Sequence, residues 1–169
     1  MARKFEDDGG VTVIKSGRIS EIFHLLFVER LCRMPELYSE DRCVRNKYGD
    51  IVHHGIDAYK GIAASERFIA EAYMSGEVLP RLYKQSVMWF TRAREHGSIR
   101  ALVSLGDCYF YGNGCPENRK KAYEMYCEAA EQNSPEGFFR KGVCLFDGSG
   151  CDIDYPQAYA CFKKALGIR

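Results

Sequence analysis

Several features typical of membrane, nucleic-acid-binding or exported proteins are missing from this sequence. The longest apolar run, from Ile22 to Val28, is short and contains His24, so we expect no membrane span. There are 24 Lys and Arg residues against 23 Asp and Glu, whereas nucleic-acid-binding proteins usually carry a clustered basic excess. The opening residues MARKFEDDGG have neither the apolar stretch of a secretory signal nor the composition of a transit peptide. We therefore expect a cytoplasmic protein without a nucleic-acid partner.

The motifs of common enzymes and metal sites are also missing. The sequence has no P-loop, no Rossmann glycine pattern and no G-x-S-x-G. None of the histidines, His24, His53, His54 and His96, lies in a recognisable catalytic motif beside a nucleophile. Zinc sites use short pairs such as C-x2-C, which do not occur, and Cys43 near two adjacent histidines does not replace them. We expect no catalytic residues, no metal ion and no cofactor.

A repeat with a period of 36 residues occupies the C-terminal two thirds of the sequence. The segment that begins at Arg100 aligns without gaps with the one that begins at Glu136, and glycines, cysteines and alanines coincide. A weaker copy lies one period earlier, where Ala70 takes the place of Gly106. We expect a repeat array at 62–169, with units at about 64–99, 100–135 and 136–169.

Each unit has the pattern of two helices joined by a glycine turn. In the middle unit, Ala101, Leu105 and Tyr109 recur at helical spacing. The Gly112–Gly114 segment should end this helix, because glycine readily adopts the positive φ of a helix terminus. A second helix is predicted from about Arg119 to Gln132. The sequence therefore predicts an all-α protein built from stacked helix pairs.

These residues resemble the Sel1-like repeat, a relative of the tetratricopeptide repeat. The pattern A-x3-L-G-x2-Y-x2-G-x-G and then K-A-x3-Y-x2-A-A is formed by Ala101, Leu105, Gly106, Tyr109, Gly112, Gly114, Lys121, Ala122, Tyr126, Ala129 and Ala130. Two positions in the outer units depart from it: Lys141 stands where Leu is usual, and Ser86 where Ala is usual. The resemblance implies a right-handed α-solenoid that acts as an adaptor or scaffold in protein complexes.

Residues 1–61 do not follow the repeat. One helix is predicted through Glu21–Cys32 and another through Glu36–Lys47, with Pro35 between them. This segment could be a degenerate repeat, or it could be a cap on the first helix pair. Solenoid ends need such caps because their terminal faces are otherwise apolar, which favours an N-terminal helical cap.

The eight cysteines allow two interpretations. Cys108 with Cys115, and Cys144 with Cys151, form two C-x6-C pairs that are candidate disulfides between a helix end and its turn. Alternatively, all four are free thiols in repeated core positions, which the lack of an export signal favours. Cysteine-rich members of the family do have disulfides, but between other repeat positions, so their pairing does not carry over.

The resemblance also implies a partner-binding surface. If the first helices are arranged as in tetratricopeptide pairs, they line the concave face, with exposed positions two before, two after and five after Leu105. Over the three units these positions are Arg67, Glu71, Met74, Val103, Asp107, Phe110, Phe139, Val143 and Phe146. They change from charged to apolar along the array. We expect an aromatic cluster of Phe110, Phe139 and Phe146 to anchor a protein or peptide partner.

We therefore predict a non-enzymatic protein-interaction module or adaptor. A bacterial immunity or inhibitor protein, or a secreted effector, is an alternative with the same fold. A cysteine-rich hydrolase of cell-wall or β-lactam substrates is an alternative from another class, and it would require export. Tyr159, Phe162 and Leu166 of the last helix would form an open apolar edge, through which the chain could also self-associate.

Overall fold

The computed structural model of the chain describes residues 6–7, 10–11, 50–51, 53–58 and 60–168. Before the repeats it contains the two-residue strands β1 (Glu6–Asp7) and β2 (Gly10–Val11), which pair antiparallel, and helical residues at 50–51 and 53–58. The predicted helices through Glu21–Cys32 and Glu36–Lys47 lie outside the described residues. The division into a cap at 1–61 and an array at 62–169 stays a prediction.

Six helices form the array between residues 63 and 165 of the described chain. They are α1 (Ala63–Ser75), α2 (Tyr83–Glu95), α3 (Ile99–Tyr111), α4 (Arg119–Glu131), α5 (Pro135–Asp147) and α6 (Tyr155–Ala165). Each helix packs against the next one in the chain, and α3 also contacts α5 directly. The predicted all-α helical-repeat solenoid is thereby confirmed.

The helices of the first unit begin without the side-chain caps found in the other two units. In the second and third units, the hydroxyls of Ser98 and Ser134 accept hydrogen bonds from the backbone N–H groups at the start of α3 and α5. Ile62, at the corresponding position before α1, makes no side-chain cap bond, and Leu82 before α2 makes none either. A cap of this kind is typically worth about 1 kcal/mol. The first unit therefore depends more on packing than the others do.

Small residues of the first helices give room to aromatic rings of the second helices. A Cβ at Gly106 would lie 2.6 Å from Cε1 of Tyr126, and a Cβ at Gly142 would lie 2.8 Å from Cε1 of Phe162. Tyr126 is only 2% exposed as a result. The glycines of the repeat pattern thus set how closely the two helices of a pair approach.

The two departures from the repeat pattern are accommodated differently. The buried hydroxyl of Ser86 donates a hydrogen bond of 2.8 Å to the carbonyl oxygen of Ala70, so α2 is bonded to α1 where the other units have only alanine contacts. Lys141 is half-buried on α5, where its aliphatic stem can cover apolar surface while the ammonium group stays in water.

The second glycine of the turn in the second and third units lies against the backbone of the preceding unit. A Cβ at Gly114 would lie 2.3 Å from the carbonyl oxygen of Tyr83, and a Cβ at Gly150 would lie 2.2 Å from that of Arg119. Both glycines have φ of +80°, which other residues rarely adopt. Each turn therefore rests on the N-terminus of the second helix before it, and this contact sets the spacing of the units.

Substituting Gly114 should cost more than substituting a comparable glycine elsewhere. Gly97 also has a positive φ, of +87°, but a Cβ there would meet nothing within 4 Å. We expect Gly97→Ala to lower the free energy of unfolding by about 1–2 kcal/mol through backbone strain. Gly114→Ala should lose about 1–3 kcal/mol more through the clash with Tyr83. Urea titration followed by circular dichroism measures both, and equal losses would contradict the close contact between units.

Candidate partner-binding site

The residues predicted on the concave face differ widely in exposure. The predicted exposure of Val103 is wrong: its side chain is 1% exposed and belongs to the core. The reason is that α3 is the central first helix, in contact with α2, α4 and α5, so less of its surface is open than spacing alone suggests. Glu71, Phe139 and Phe146 are exposed, and Arg67, Met74, Asp107, Phe110 and Val143 are half-buried.

In the first unit, the predicted charged residues neutralise one another. Arg67 and Glu71, one helical turn apart on α1, form an ion pair. Such pairs contribute only about 0.2–0.5 kcal/mol to a helix, so both side chains remain available to a partner at little cost. Met74 packs against the main hydrophobic cluster.

Asp107 is held by side chains from two other helices. The hydroxyl of Tyr126 on α4 donates to its Oδ1 over 2.6 Å, and Nη2 of Arg140 on α5 donates to its Oδ2 over 2.8 Å. Burial raises the pKa of the Asp107 carboxyl, while the bonds from Tyr126 and Arg140 act in the opposite direction. Within the described residues, the buried Nε of Arg140 makes no hydrogen bond. Asp107 therefore links the second unit to the third in addition to facing the surface.

Asp107 was predicted at this surface from the sequence, but its partners Tyr126 and Arg140 were not. Arg140 stands one period after Ser104, which is uncharged. This change of residue type was the signal that could have pointed to Arg140. Spacing along one chain segment could not show that this arginine reaches from α5 to Asp107 on α3 in the preceding unit.

The predicted aromatic cluster is spread along the array. Phe110 packs edge-on against Tyr111, with ring centroids 5.0 Å apart. Phe146 packs against Tyr155 at 5.4 Å, and Phe139 lies 5.8 Å from Phe162. No ring contact among the described residues joins any two of Phe110, Phe139 and Phe146.

Phe139 and Phe146 nevertheless belong to one surface. They are seven residues apart on α5, which places them two turns apart on the same side of the helix, and they are 49% and 55% exposed. Half-buried Val143 lies between them. The side of α5 that carries these three residues is thus an apolar stripe.

A buried ionic cluster in the first unit was not predicted. Glu66 is fully buried on α1, in the position that Leu102 occupies in the middle unit. Nδ1 of His96 lies 2.6 Å from one carboxylate oxygen, and Nε of Arg92 lies 2.6 Å from the other without the alignment of a hydrogen bond. Both partners belong to the end of α2. The carboxylate is therefore used to join α1 to α2, and a Glu in a Leu position was the signal that could have revealed it.

The described chain also has polar groups outside these clusters. None of its groups of His, Cys, Asp and Glu side chains could hold a metal ion. A shallow cleft of about 340 Å³ lies between α2, α3 and α4, and two of its three charged residues, Arg94 and Glu128, pair with each other at 2.8 Å. Across the described residues, no helix has both the length and the apolar character needed to cross a membrane.

The cysteines of both C-x6-C pairs are free thiols in the structure. Burial raises the pKa of Cys108 and of Cys144 to about 12 each. Burial also raises the pKa values of Cys115 and Cys151, which are half-buried in the turns. This arrangement corresponds to the interpretation in which these residues fill repeated core positions.

Native thiols at Cys108 and Cys144 should react very slowly with an alkylating reagent at about pH 8, because only the thiolate is nucleophilic. After unfolding without a reductant, both should be alkylated completely. Peptide mass spectrometry before and after unfolding reports each site. A peptide in which Cys108 is linked to Cys115, or Cys144 to Cys151, would contradict this expectation.

The described array has the repeat length and turn pattern of one protein family. The Sel1 repeat profile matches residues 63–98, 99–134 and 139–166. The chain belongs to the Sel1 repeat family. The resemblance seen in the sequence is thereby confirmed, and Sel1 repeat proteins generally mediate protein–protein interactions.

Three solved Sel1-type structures are similar to this one. A protective antigen of uropathogenic Escherichia coli with an SLR fold has a TM-score of 0.66 and 26% identity, over 88% of this chain and 30% of that one. The present chain thus spans under a third of that protein. A Sel1 repeat protein from Oxalobacter formigenes has a TM-score of 0.60 and 24% identity, over 70% and 89%. Cysteine rich protein B of Helicobacter pylori has a TM-score of 0.56 and 23% identity, over 69% and 89%. No curated protein matches the sequence.

Proposed function

We propose that this protein is a non-enzymatic adaptor that binds a protein or peptide partner on the concave face of its first helices. The observation that carries the proposal is the apolar stripe of Phe139, Val143 and Phe146 on α5, whose two rings are about half exposed. Exposed aromatic groups of this kind are typical anchors of protein interfaces. Half-buried Phe110 on α3 extends the apolar surface toward the second unit.

The packing of the first helices supports placing this surface on the inner side of the array. α3 and α5 contact each other directly although α4 lies between them in the chain. In a curved stack, the helices on the inner side approach one another most closely, and such concave surfaces are where repeat proteins bind. The bond from Arg140 to Asp107 fixes α5 against α3 and thereby fixes the stripe relative to Phe110.

The partner surface should combine an apolar centre with a polar end. The third unit supplies the aromatic groups, and the first unit supplies the Arg67–Glu71 pair. The partner's contact segment should therefore be apolar where it meets α5. Charged groups at its other end would set its direction, since rim charges contribute more to orientation than to affinity.

The thiols support the non-enzymatic part of the proposal. A cysteine hydrolase needs a thiolate activated by a neighbouring base. Burial instead raises the pKa of Cys108 and of Cys144 to about 12, which leaves both thiols protonated. The immunity-protein and effector alternatives differ in the partner, and the same surface would serve them.

The stripe can be tested against a second apolar surface of the same chain. Partners are first captured from native lysate with the wild-type protein and identified. They should bind the Phe139→Ala/Phe146→Ala variant at least about tenfold more weakly than wild type, because buried aromatic anchors are interface hot spots. Tyr159→Ala/Leu166→Ala is the matched control, since these side chains on or just after α6 are 68% and 73% exposed. Calorimetric titration measures the affinities, and urea unfolding checks that both variants are folded.

Equal affinity of wild type and the Phe139/Phe146 variant for every partner would contradict the concave-face proposal. Selective loss of binding in the Tyr159/Leu166 variant would instead assign partner binding to α6. Self-association through Tyr159, Phe162 and Leu166 stays a prediction. Sedimentation velocity of the Tyr159→Ala/Leu166→Ala variant tests it, because this variant should then associate less than wild type.

A further inference from the structure

The three turns of the array lie along one edge of the molecule. This turn edge consists of residues 76–82, 112–118 and 148–154 together with the first turns of α2, α4 and α6. Its parts are contiguous, because Gly114 lies against the backbone of Tyr83, and Gly150 against that of Arg119. The edge thus forms a single surface that runs past all three units.

Exposed apolar side chains are concentrated on the turn edge and at its border. Six of the thirteen exposed large apolar residues among the described residues lie there: Leu82, Tyr83, Tyr111, Phe146, Ile153 and Tyr155. Tyr111 and Tyr155 are 60% and 58% exposed. Contiguous exposed apolar groups of this kind mark interaction surfaces more often than isolated ones do.

The charges of the turn edge are divided into two halves. The first two units supply the cationic half, with Arg81, Lys84, Arg119, Lys120 and Lys121 against Glu77 and Glu117. The third unit supplies the acidic half, with Asp147, Asp152 and Asp154 and no cation between residues 147 and 157. The edge therefore carries opposite charge at its two ends.

Some of these charges are placed against the helix dipoles. Lys84 and Lys120 stand at the second residues of α2 and α4, whose first turns contain no acidic residue, and Asp147 is the last residue of α5. A cation at a helix N-terminus and an anion at a C-terminus are each unfavourable. Within the described part of the chain, the side chains of these three residues make no hydrogen bond and no ion pair. In the isolated chain these three charges therefore reduce stability slightly.

We propose that the turn edge binds the turn edge of a second copy of this chain around a two-fold axis. A two-fold interface uses the same patch on both subunits, so the patch must be complementary to itself. With the axis between the second and third turns, Arg119 and Lys120 of each copy face the acidic third turn of the other, and the first turn of each copy lies beyond the partner's third turn. The exposed rings of Tyr111 and Phe146 then lie near the axis. An acidic peptide would match only the cationic half and leave Asp147 and Asp152 without a counterpart.

Charge reversal of each half tests this interface. Lys84→Glu/Lys120→Glu makes the whole edge acidic, and Asp147→Lys/Asp152→Lys makes it cationic. Three of these four changes improve the match to a helix dipole, so loss of the dimer cannot be ascribed to poor folding. Glu95→Lys/Glu131→Lys, at the exposed last residues of α2 and α4, is a matched control on the opposite edge.

Sedimentation velocity should show a wild-type dimer that weakens at about 0.5 M salt. Each double variant alone should be a monomer, or should dimerise at least about tenfold more weakly, because like charges then face each other. An equimolar mixture of the two variants should form a heterodimer, since both of its contacts are again complementary. The control should behave as wild type.

A wild-type monomer at every concentration, or a dimer unaffected by both reversals, would overturn the proposal. Failure of the mixture to associate would also overturn it. Binding of a polyglutamate peptide by a monomeric wild type would assign the cationic half to an acidic partner instead. The variant Phe139→Ala/Phe146→Ala also changes Phe146 at the turn edge, whereas Phe139→Ala alone changes only the concave face. Phe139→Ala should leave the dimer intact and still weaken partner binding, so with this single variant the two proposals can fail separately.

Discussion

The contact of a bare glycine with the backbone of the preceding unit is the constraint on which this array depends. Gly114 and Gly150 repeat this contact one period apart. A Cβ added at either glycine would clash with the carbonyl oxygen of the first residue of a second helix. No other residue has both the space and the backbone conformation for this position. The spacing of the units, the approach of α3 to α5 and the position of the aromatic stripe all follow from it.

Much of the array could be predicted because its signals are local. The helical spacing and the Gly112–Gly114 turn predicted a second helix from Arg119 to Gln132, and the structure has α4 at Arg119–Glu131. Exposure was less predictable, as Val103 shows, because it depends on which neighbouring helices cover a given side of α3. Helical periodicity identifies the sides of a helix but not the number of helices that pack on them.

The partners of polar residues in core positions could not be predicted from one sequence. Glu66 stands where the middle unit has Leu102, and the sequence shows that difference plainly. Its partners, Arg92 and His96, come from the end of another helix, and no spacing rule connects them. Removing one member of such a cluster is usually far more costly than replacing the whole cluster with apolar residues, so the three side chains act as one unit.

The most direct test of the account is native-state hydrogen exchange read by mass spectrometry. If the units are coupled through the turn contacts, α3 and α4 should exchange slowest and open together, because the units on both sides cover them. α6, which is covered on one side by α5 within the described chain, should exchange faster. Opening of each helix pair with its own independent rate, and no slow central unit, would contradict a stack held at its turns.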